Sequence, residues 1–168
     1  MRIPIFVSCP SRLNASQERS RRAILRELER QQLEPRALGR SDYPSDFPLR
    51  EVYVIAKHCS GGIILGFRQF VAKGGVWNPQ SKEQRRENNP VYFPTAWNHL
   101  ETGILFGLRL PILIFREEPM RGGVFDEGVT DIFIHSMPPG NIAGFALESF
   151  QEVLLKWSAR VRDHYSKM

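Results

Sequence analysis

The sequence predicts a three-layer α/β fold, in which a five-stranded parallel sheet is covered by helices on both faces. Short apolar segments rich in β-branched residues alternate along the chain with longer segments whose apolar residues recur every three or four positions. This alternation is typical of parallel sheets, because the chain must return through a crossover before the next strand can run in the same direction. The expected strand order is 2-1-3-4-5, within a single domain that spans residues 1–168.

Five segments have the composition of buried strands and are bounded by turn-forming residues. The second segment contains Pro35, which cannot donate a hydrogen bond in a central ladder, so this strand is expected at an edge of the sheet. The predicted strands are Ile3 to Val7, Glu34 to Leu38, Gly61 to Phe67, Pro111 to Phe115 and Asp131 to His135.

Four segments show the periodicity of amphipathic helices. The first is expected to begin at a cap formed by Asn14 or Ser16, and the third at a cap formed by Thr95. The predicted helices cover Ala15 to Gln32, Leu49 to His58, Thr95 to about Leu108, and Ala143 to Tyr165.

The same periodicity predicts the buried sides of the third and fourth helices. In the third helix, the residues expected to face the protein are Trp97, Leu100, Ile104 and Leu108. In the fourth helix, they are Phe145, Phe150, Leu154, Trp157 and Val161. Gly103 and Gly107 lie inside the third helix at a cost of about 1 kcal/mol each relative to alanine, which indicates either close approach of another group or a packing requirement.

Residues Arg68 to Tyr92 are predicted to form a polar insert loop. The segment contains Gly74-Gly75, Asn78-Pro79 and a cluster of Lys, Glu and Arg residues. Loops of this length in a compact domain are usually functional lids or disordered segments, and the sequence does not choose between these interpretations.

Composition and charge limit the expected partners and location. The net charge of +5 includes five arginines on the first helix, but glutamates are interspersed with them, which is typical of a solvated face. The interspersed charges argue against nucleic acid as a partner. No apolar run reaches the roughly 18 to 20 residues that cross a bilayer, so a membrane is not an expected partner either. Cys9 and Cys59 fit a reducing compartment and, like the scattered histidines, form no metal-ligand motif. We therefore expect a cytoplasmic protein without a metal site.

Glu101 is the most informative residue of the third helix. It follows Trp97 by four positions, so the carboxylate and the indole are neighbours one turn apart, at the edge of the predicted apolar face. Such a carboxylate is either an ordinary surface group at the rim of the helix or a functional group that faces a site.

The predicted topology brings several polar and aromatic residues together. In a flavodoxin-like sheet of this order, ligands bind at the carboxyl ends of the strands, where the order reverses between strands 1 and 3. The loops that follow these two strands would meet the start of the Thr95 helix there. The residues of the candidate pocket are Ser8, Arg12, Asn14, Asp46, Tyr92, Phe93, Trp97 and Glu101.

The segment Thr95-Ala-Trp-Asn-His-Leu-Glu101 resembles the Ser-x-x-Trp-Cys-x-x-Glu motif of TIR domains, with Thr for Ser and Asn for Cys. Ile3 to Ser8 is similar to the opening TIR strand. Asp46-Phe-Pro and the later run Cys59-Ser-Gly-Gly-Ile-Ile-Leu-Gly are similar to the TIR loop and third strand. This resemblance covers most of the chain and implies a bacterial-type TIR NAD hydrolase or ADP-ribosyl cyclase, in which Glu101 is the required carboxylate.

The resemblance implies cleavage of the bond between nicotinamide and ribose, with NAD as substrate and no cofactor. The products would be nicotinamide and either ADP-ribose or a cyclic ADP-ribose. The implied role is antiphage defence, by NAD depletion or by a nucleotide signal for a separate effector protein. A homo-oligomer is the expected active form, and a TIR-like interaction module without catalysis is a further possibility.

The run from Glu101 to Pro111 resembles a second family. It matches the Glu-x-Gly-x-x-x-Gly-x-x-x-Pro pattern of nucleoside 2-deoxyribosyltransferases, whose Glu is the nucleophile at the anomeric carbon. Phe67 stands where an acidic residue is expected in that family, which weakens the support for this alternative. Both families break an N-glycosidic bond, so the resemblances support the chemical class better than the substrate.

Each polar residue of the candidate pocket has a ligand role and an ordinary structural role. Ser8 and Asn14 would hydrogen-bond ribose or phosphate, or else serve in a turn and a helix cap. Arg12 would bind the pyrophosphate or point into solvent, and Asp46 would contact a ribose hydroxyl or cap a helix.

The aromatic residues of the pocket present the same choice. Trp97 would stack on nicotinamide and exclude water, or else pack within the fold. Tyr92 and Phe93 would be platforms for adenine or nicotinamide, or parts of the core.

Overall fold

The computed structural model describes residues 2–37 and 47–168, with a parallel sheet at its centre. The sheet strands are β1 (Ile3–Ser8), β2 (Leu33–Arg36), β3 (Gly62–Gly66), β8 (Ile112–Arg116) and β9 (Ile134–Ser136). Their order is β2-β1-β3-β8-β9, and every neighbouring pair is parallel. The predicted flavodoxin-like fold and its order 2-1-3-4-5 are confirmed, and β2, which contains Pro35, lies at an edge.

Within the described residues, four α-helices flank the sheet and a 3₁₀ turn covers Gly123–Phe125. Asn14 is the first cap, because its Oδ1 accepts a hydrogen bond from Gln17 N at 2.9 Å, and Gln17 Oε1 accepts one from Asn14 N at 3.1 Å. The helices are α1 (Ala15–Arg30), α2 (Pro48–Lys57), α3 (Ala96–Gly107) and α4 (Gly144–Ser166). None of them is both long enough and apolar enough to cross a membrane.

The two faces of the sheet pack against different helices. Ile5 and Val7 of β1 belong to a core that includes residues of α1 and α4. Phe6 belongs to the other core, which includes residues of α2 and α3. Successive side chains of a strand point to opposite faces, so Ser8, the last residue of β1, lies on the same face as Phe6 and α3.

The segment predicted as a polar insert loop forms two antiparallel ribbons. In one, β4 (Phe70–Ala72) pairs with β7 (Val91–Phe93), and in the other, β5 (Gly75–Trp77) pairs with β6 (Arg85–Glu87). The Trp77 and Phe93 rings lie 6.2 Å apart and join the two ribbons. Each strand has only three residues, too few for an alternating pattern to be recognised in the sequence.

The predicted buried side of α3 is only partly correct. Trp97 and Leu100 are 42% and 48% exposed, whereas Ile104 and Leu108 are partly buried and pack against the core. The residues that face the sheet are the polar Asn98 and Thr102 together with Leu105. The helix is therefore rotated relative to its apolar stripe, because hydrogen bonds from Asn98 dock its first turn on the sheet.

Two further expectations are corrected near the carboxyl terminus. Phe145 is 82% exposed, because it lies in the first turn of α4, before Leu147, the first residue of the helix that packs against the core. The fifth strand begins at Ile134, three residues later than predicted, since Asp131 has a φ of 54° and Ile134 is the first residue paired with β8.

The close approach expected at the α3 glycines occurs at glycines of β3. A Cβ on Gly103 or Gly107 would meet none of the described atoms within 4 Å. A Cβ on Gly62 would lie 2.5 Å from Leu105 Cδ1, and one on Gly66 would overlap the Phe125 ring. Glycine in β3 therefore lets α3 and the 3₁₀ turn approach the sheet.

Candidate active site

The first turn of α3 is built around Asn98. Thr95 caps the helix, because its Oγ1 accepts a hydrogen bond from Asn98 N at 3.3 Å and donates one to Asn98 Oδ1 at 3.1 Å. One turn later, Thr102 Oγ1 donates to the Asn98 carbonyl at 2.6 Å. These bonds fix the orientation of an amide side chain that is 1% exposed.

Asn98 connects α3 to the carboxyl end of β1. Its Nδ2 donates to Ser8 Oγ at 2.9 Å and lies 3.5 Å from the Leu65 carbonyl of β3. Ser8 is fully buried, so both groups depend on each other for hydrogen bonding away from water. The strands β1 and β3 are neighbours in the sheet, and the contact lies where the strand order reverses.

Glu101 lies next to this pair, one turn along α3. Its side chain is partly buried, and burial raises the pKa of Glu101 to about 7, while hydrogen bonding from the Ser8 hydroxyl opposes that rise. The Ser8 hydroxyl can accept from Asn98 and donate to Glu101 at the same time. The site therefore holds a carboxyl group that changes its ionisation near neutral pH.

Trp97 completes this side of α3. It precedes Glu101 by four residues, and its indole is 42% exposed. Residues four apart lie on the same side of a helix, so the indole stands beside the carboxyl group, where it can meet a ligand.

Of the three other predicted polar residues, one has a structural contact, one is exposed to solvent and one is not described. Asn14 uses its side-chain oxygen in the α1 cap. Arg12 is exposed and forms no hydrogen bond or ion pair with residues 2–37 and 47–168. Asp46 lies outside the described residues.

Tyr92 and Phe93 lie on opposite faces of their ribbon strand, because side chains alternate along it. The Tyr92 ring lies 5.0 Å from the Arg68 guanidinium and packs against the core on the α2 and α3 side. Phe93 contacts Phe70 and Trp77 and lines a separate cleft. The structure thus brings Ser8, Trp97 and Glu101 together at the carboxyl end of β1, whereas Phe93 lines the separate cleft.

A second carboxylate at the same end of the sheet is held by three donors. Glu117 Oε2 accepts from Arg68 N at 2.7 Å and from Gln17 Nε2 at 2.8 Å, and its Oε1 accepts from Arg68 Nη2 at 3.2 Å. Glu117 follows β8, Arg68 follows β3, and Gln17 belongs to α1. This group fixes the ends of two strands relative to a helix, and its saturated carboxylate acts as a structural clamp.

Asn98 and Glu117 are not among the residues predicted for the pocket, although Asn98 belongs to the motif that begins at Thr95. A signal for Asn98 exists in the sequence, since it stands three residues after the Thr95 cap and three before Glu101. The sequence offers no comparable signal for Glu117, because its partners are 49 and 100 residues away along the chain.

Comparison with known proteins adds no relative for this arrangement. The chain matches no protein-family model, and no curated protein gives a significant match. Among the described residues, no group of three or more His, Cys, Asp or Glu side chains could hold a metal ion.

Proposed function

We propose that the protein is a TIR-like NAD glycohydrolase or ADP-ribosyl cyclase, which cleaves the bond between nicotinamide and ribose. The observation that carries the proposal is the placement of Glu101 beside Ser8, at the carboxyl end of the sheet, in surroundings that raise its pKa. A partly desolvated carboxyl group at a topological switch point is a recognised signature of a functional site.

The proposed reaction needs one ionised carboxylate. As the C1′–N bond breaks, its electron pair neutralises the pyridinium of nicotinamide and positive charge develops on the ribose carbon and ring oxygen. The Glu101 carboxylate stabilises that charge or attacks the carbon. Water then gives ADP-ribose with release of a proton, or a nucleophilic nitrogen of the adenine base gives a cyclic product.

NAD itself would favour the active form of the site. The cationic nicotinamide ring beside Glu101 lowers the pKa of the carboxyl group, because an opposite charge stabilises the ionised form. The leaving group already carries a positive charge, so it needs no acid to assist its departure. Ser8 and Asn98 would hold the carboxylate in place, and Trp97 would stack on nicotinamide.

A biological role is proposed from the resemblance alone. We infer a cytoplasmic enzyme of antiphage defence that acts as a homo-oligomer and either depletes NAD or produces a signal for a separate effector. Arg12, which is exposed after β1, is the proposed contact for the pyrophosphate.

A nucleoside 2-deoxyribosyltransferase is the second candidate. It would use the same Glu101, in its ionised form, as the nucleophile at the anomeric carbon, and water would supply the proton that the neutral leaving base takes up.

Incubation of concentrated protein with NAD, and separately with deoxyadenosine and a second free base, distinguishes the candidates. We expect chromatography to show nicotinamide with ADP-ribose or its cyclic form, and no base exchange. Base exchange with inert NAD would support the transferase instead. If neither substrate reacts while the protein assembles into oligomers, the result supports an interaction module without catalysis.

A further inference from the structure

A large cleft lies away from Glu101, on the opposite side of α3. It has a volume of about 760 Å³, within the range of small-molecule sites. The ribbons, the start of α3 and the loop after β8 form its walls. Its principal lining residues are Trp77, Arg85, Phe93, His99, Arg121 and Val129.

His99 shows that this cleft is separate from the proposed active site. It stands two residues before Glu101, which corresponds to about 200° around a helix. The His99 ring packs edge-on against Phe125 at 5.7 Å, on the β8 side of the helix. Glu101 faces Ser8 of β1, so α3 separates the two places.

One wall of the cleft is apolar and aromatic. The Trp77 and Phe93 rings meet at 6.2 Å with an angle of 50° between their planes, and Val91, Pro94 and Val129 extend the surface. Val129 is 57% exposed although it lies beside these rings. A concave surface of this kind favours a flat, apolar group of a ligand.

The rim of the cleft carries two arginines from different elements. The Arg85 guanidinium lies 5.1 Å from the Trp77 ring, and its side chain is 63% exposed. Arg121, in the loop after β8, is 55% exposed. Each pairs with one glutamate, at 3.7 Å and 2.7 Å, but exposed ion pairs are weak and a guanidinium has five donors, so both can bind a further anion.

Asp126 also lines the cleft and brings a negative charge to it. Its Oδ1 accepts a hydrogen bond from Gly122 N at 2.8 Å, which offsets part of that charge. Burial lowers the pKa of His99, although the Asp126 carboxylate opposes this shift, and the imidazole can donate a hydrogen bond in either ionisation state.

We propose that this cleft is a second ligand site, which binds a nucleotide with its base on the Trp77 and Phe93 wall and its phosphates at Arg85 and Arg121. The aromatic wall suits a purine or pyrimidine ring, which can pack against one of its two tilted rings, and planar guanidinium groups suit phosphate oxygens. The site is independent of the proposed cleavage of NAD, because it shares no side chain with the Ser8, Asn98 and Glu101 group.

Titration with ADP, followed by NMR of the indole N–H signals, tests this site. The chain has three tryptophans, which report on different places: Trp77 in the cleft, Trp97 beside Glu101, and Trp157, whose indole donates to the Pro111 carbonyl at 3.1 Å in the core. Single Trp→Phe variants assign the signals. We expect ADP to shift the Trp77 signal at micromolar to millimolar concentration, and to do so equally in Glu101→Gln.

Charge-reversal variants decide whether the arginines hold the phosphates. We expect Arg121→Glu and Arg85→Glu to weaken ADP binding by about tenfold or more, whereas Arg160→Glu, an exposed control on α4 with the same change of charge, leaves it within about twofold. Adenosine and pyrophosphate should each bind more weakly than ADP. A Trp77 signal that does not move at millimolar ADP, or an affinity that is equal in the Arg121 and Arg160 variants, would overturn the proposal.

Discussion

Glu101→Gln is expected to reduce nicotinamide release from NAD on the order of 100-fold or more. Glutamine has nearly the same size and can still contact Ser8, but its neutral amide cannot stabilise the positive charge that develops on ribose. The measurement is chromatography of NAD incubated at pH 8 with equal, high concentrations of the wild type and the variant. At that pH most wild-type Glu101 is ionised, so the difference between the two proteins is largest.

Glu152→Gln is the matched control for this experiment. Glu152 lies on α4, is exposed and pairs with Lys156, so the same chemical change should leave the rate within about twofold. Undiminished turnover by a folded Glu101→Gln protein would remove Glu101 from the proposed mechanism.

The same substitution is expected to stabilise the fold at alkaline pH. The pKa of Glu101 is about 7 in the folded state, against an ordinary value of 4.5. The folded protein therefore binds this proton more tightly than the unfolded chain does, and the free energy of unfolding falls as the pH rises from about 4.5 to 7. Glutamine does not titrate, so the variant avoids this loss, which amounts to roughly 3 kcal/mol above pH 7.

Urea unfolding of both proteins at pH 5 and pH 8 measures the effect. The advantage of Glu101→Gln over the wild type should be larger by roughly 2.5 kcal/mol at pH 8 than at pH 5, because a small part of the loss has already occurred at pH 5. The effect of the substitution on stability is compared between the two pH values. Any effect of the substitution on packing that does not depend on pH therefore cancels. An equal difference in stability at both pH values would show that Glu101 has an ordinary pKa.

The fold could be predicted because its determinants are local. Each central strand is a short apolar segment, and Pro35 marks β2 as an edge strand. The insert could not be predicted, since its ribbons depend on pairing between strands of three residues and on the contact between Trp77 and Phe93. The start of β9 was misplaced because the left-handed backbone at Asp131 leaves no mark in the apolar pattern.

The orientation of α3 shows how far the candidate site could be predicted. Topology correctly predicts that Ser8 lies near Glu101, because β1 ends and α3 begins at the same edge of the sheet. Apolar periodicity, however, predicts that Trp97 and Leu100 are buried, and both are exposed. The buried side carries Asn98 and Thr102, and their burial depends on hydrogen bonds to each other and to Ser8. Such bonds join residues up to 90 positions apart and have no signature in a local pattern.

The pH dependence of nicotinamide release by the wild-type protein tests the central claim most directly, because it links the environment of Glu101 to the chemistry. The relevant quantity is kcat/KM for NAD, which reports the ionisation of the free enzyme. Since the ionised carboxylate is the active form, kcat/KM should rise by about tenfold per pH unit below pH 7 and level off above it. A value that is constant between pH 5 and pH 8, or that falls as the pH rises, would contradict the account.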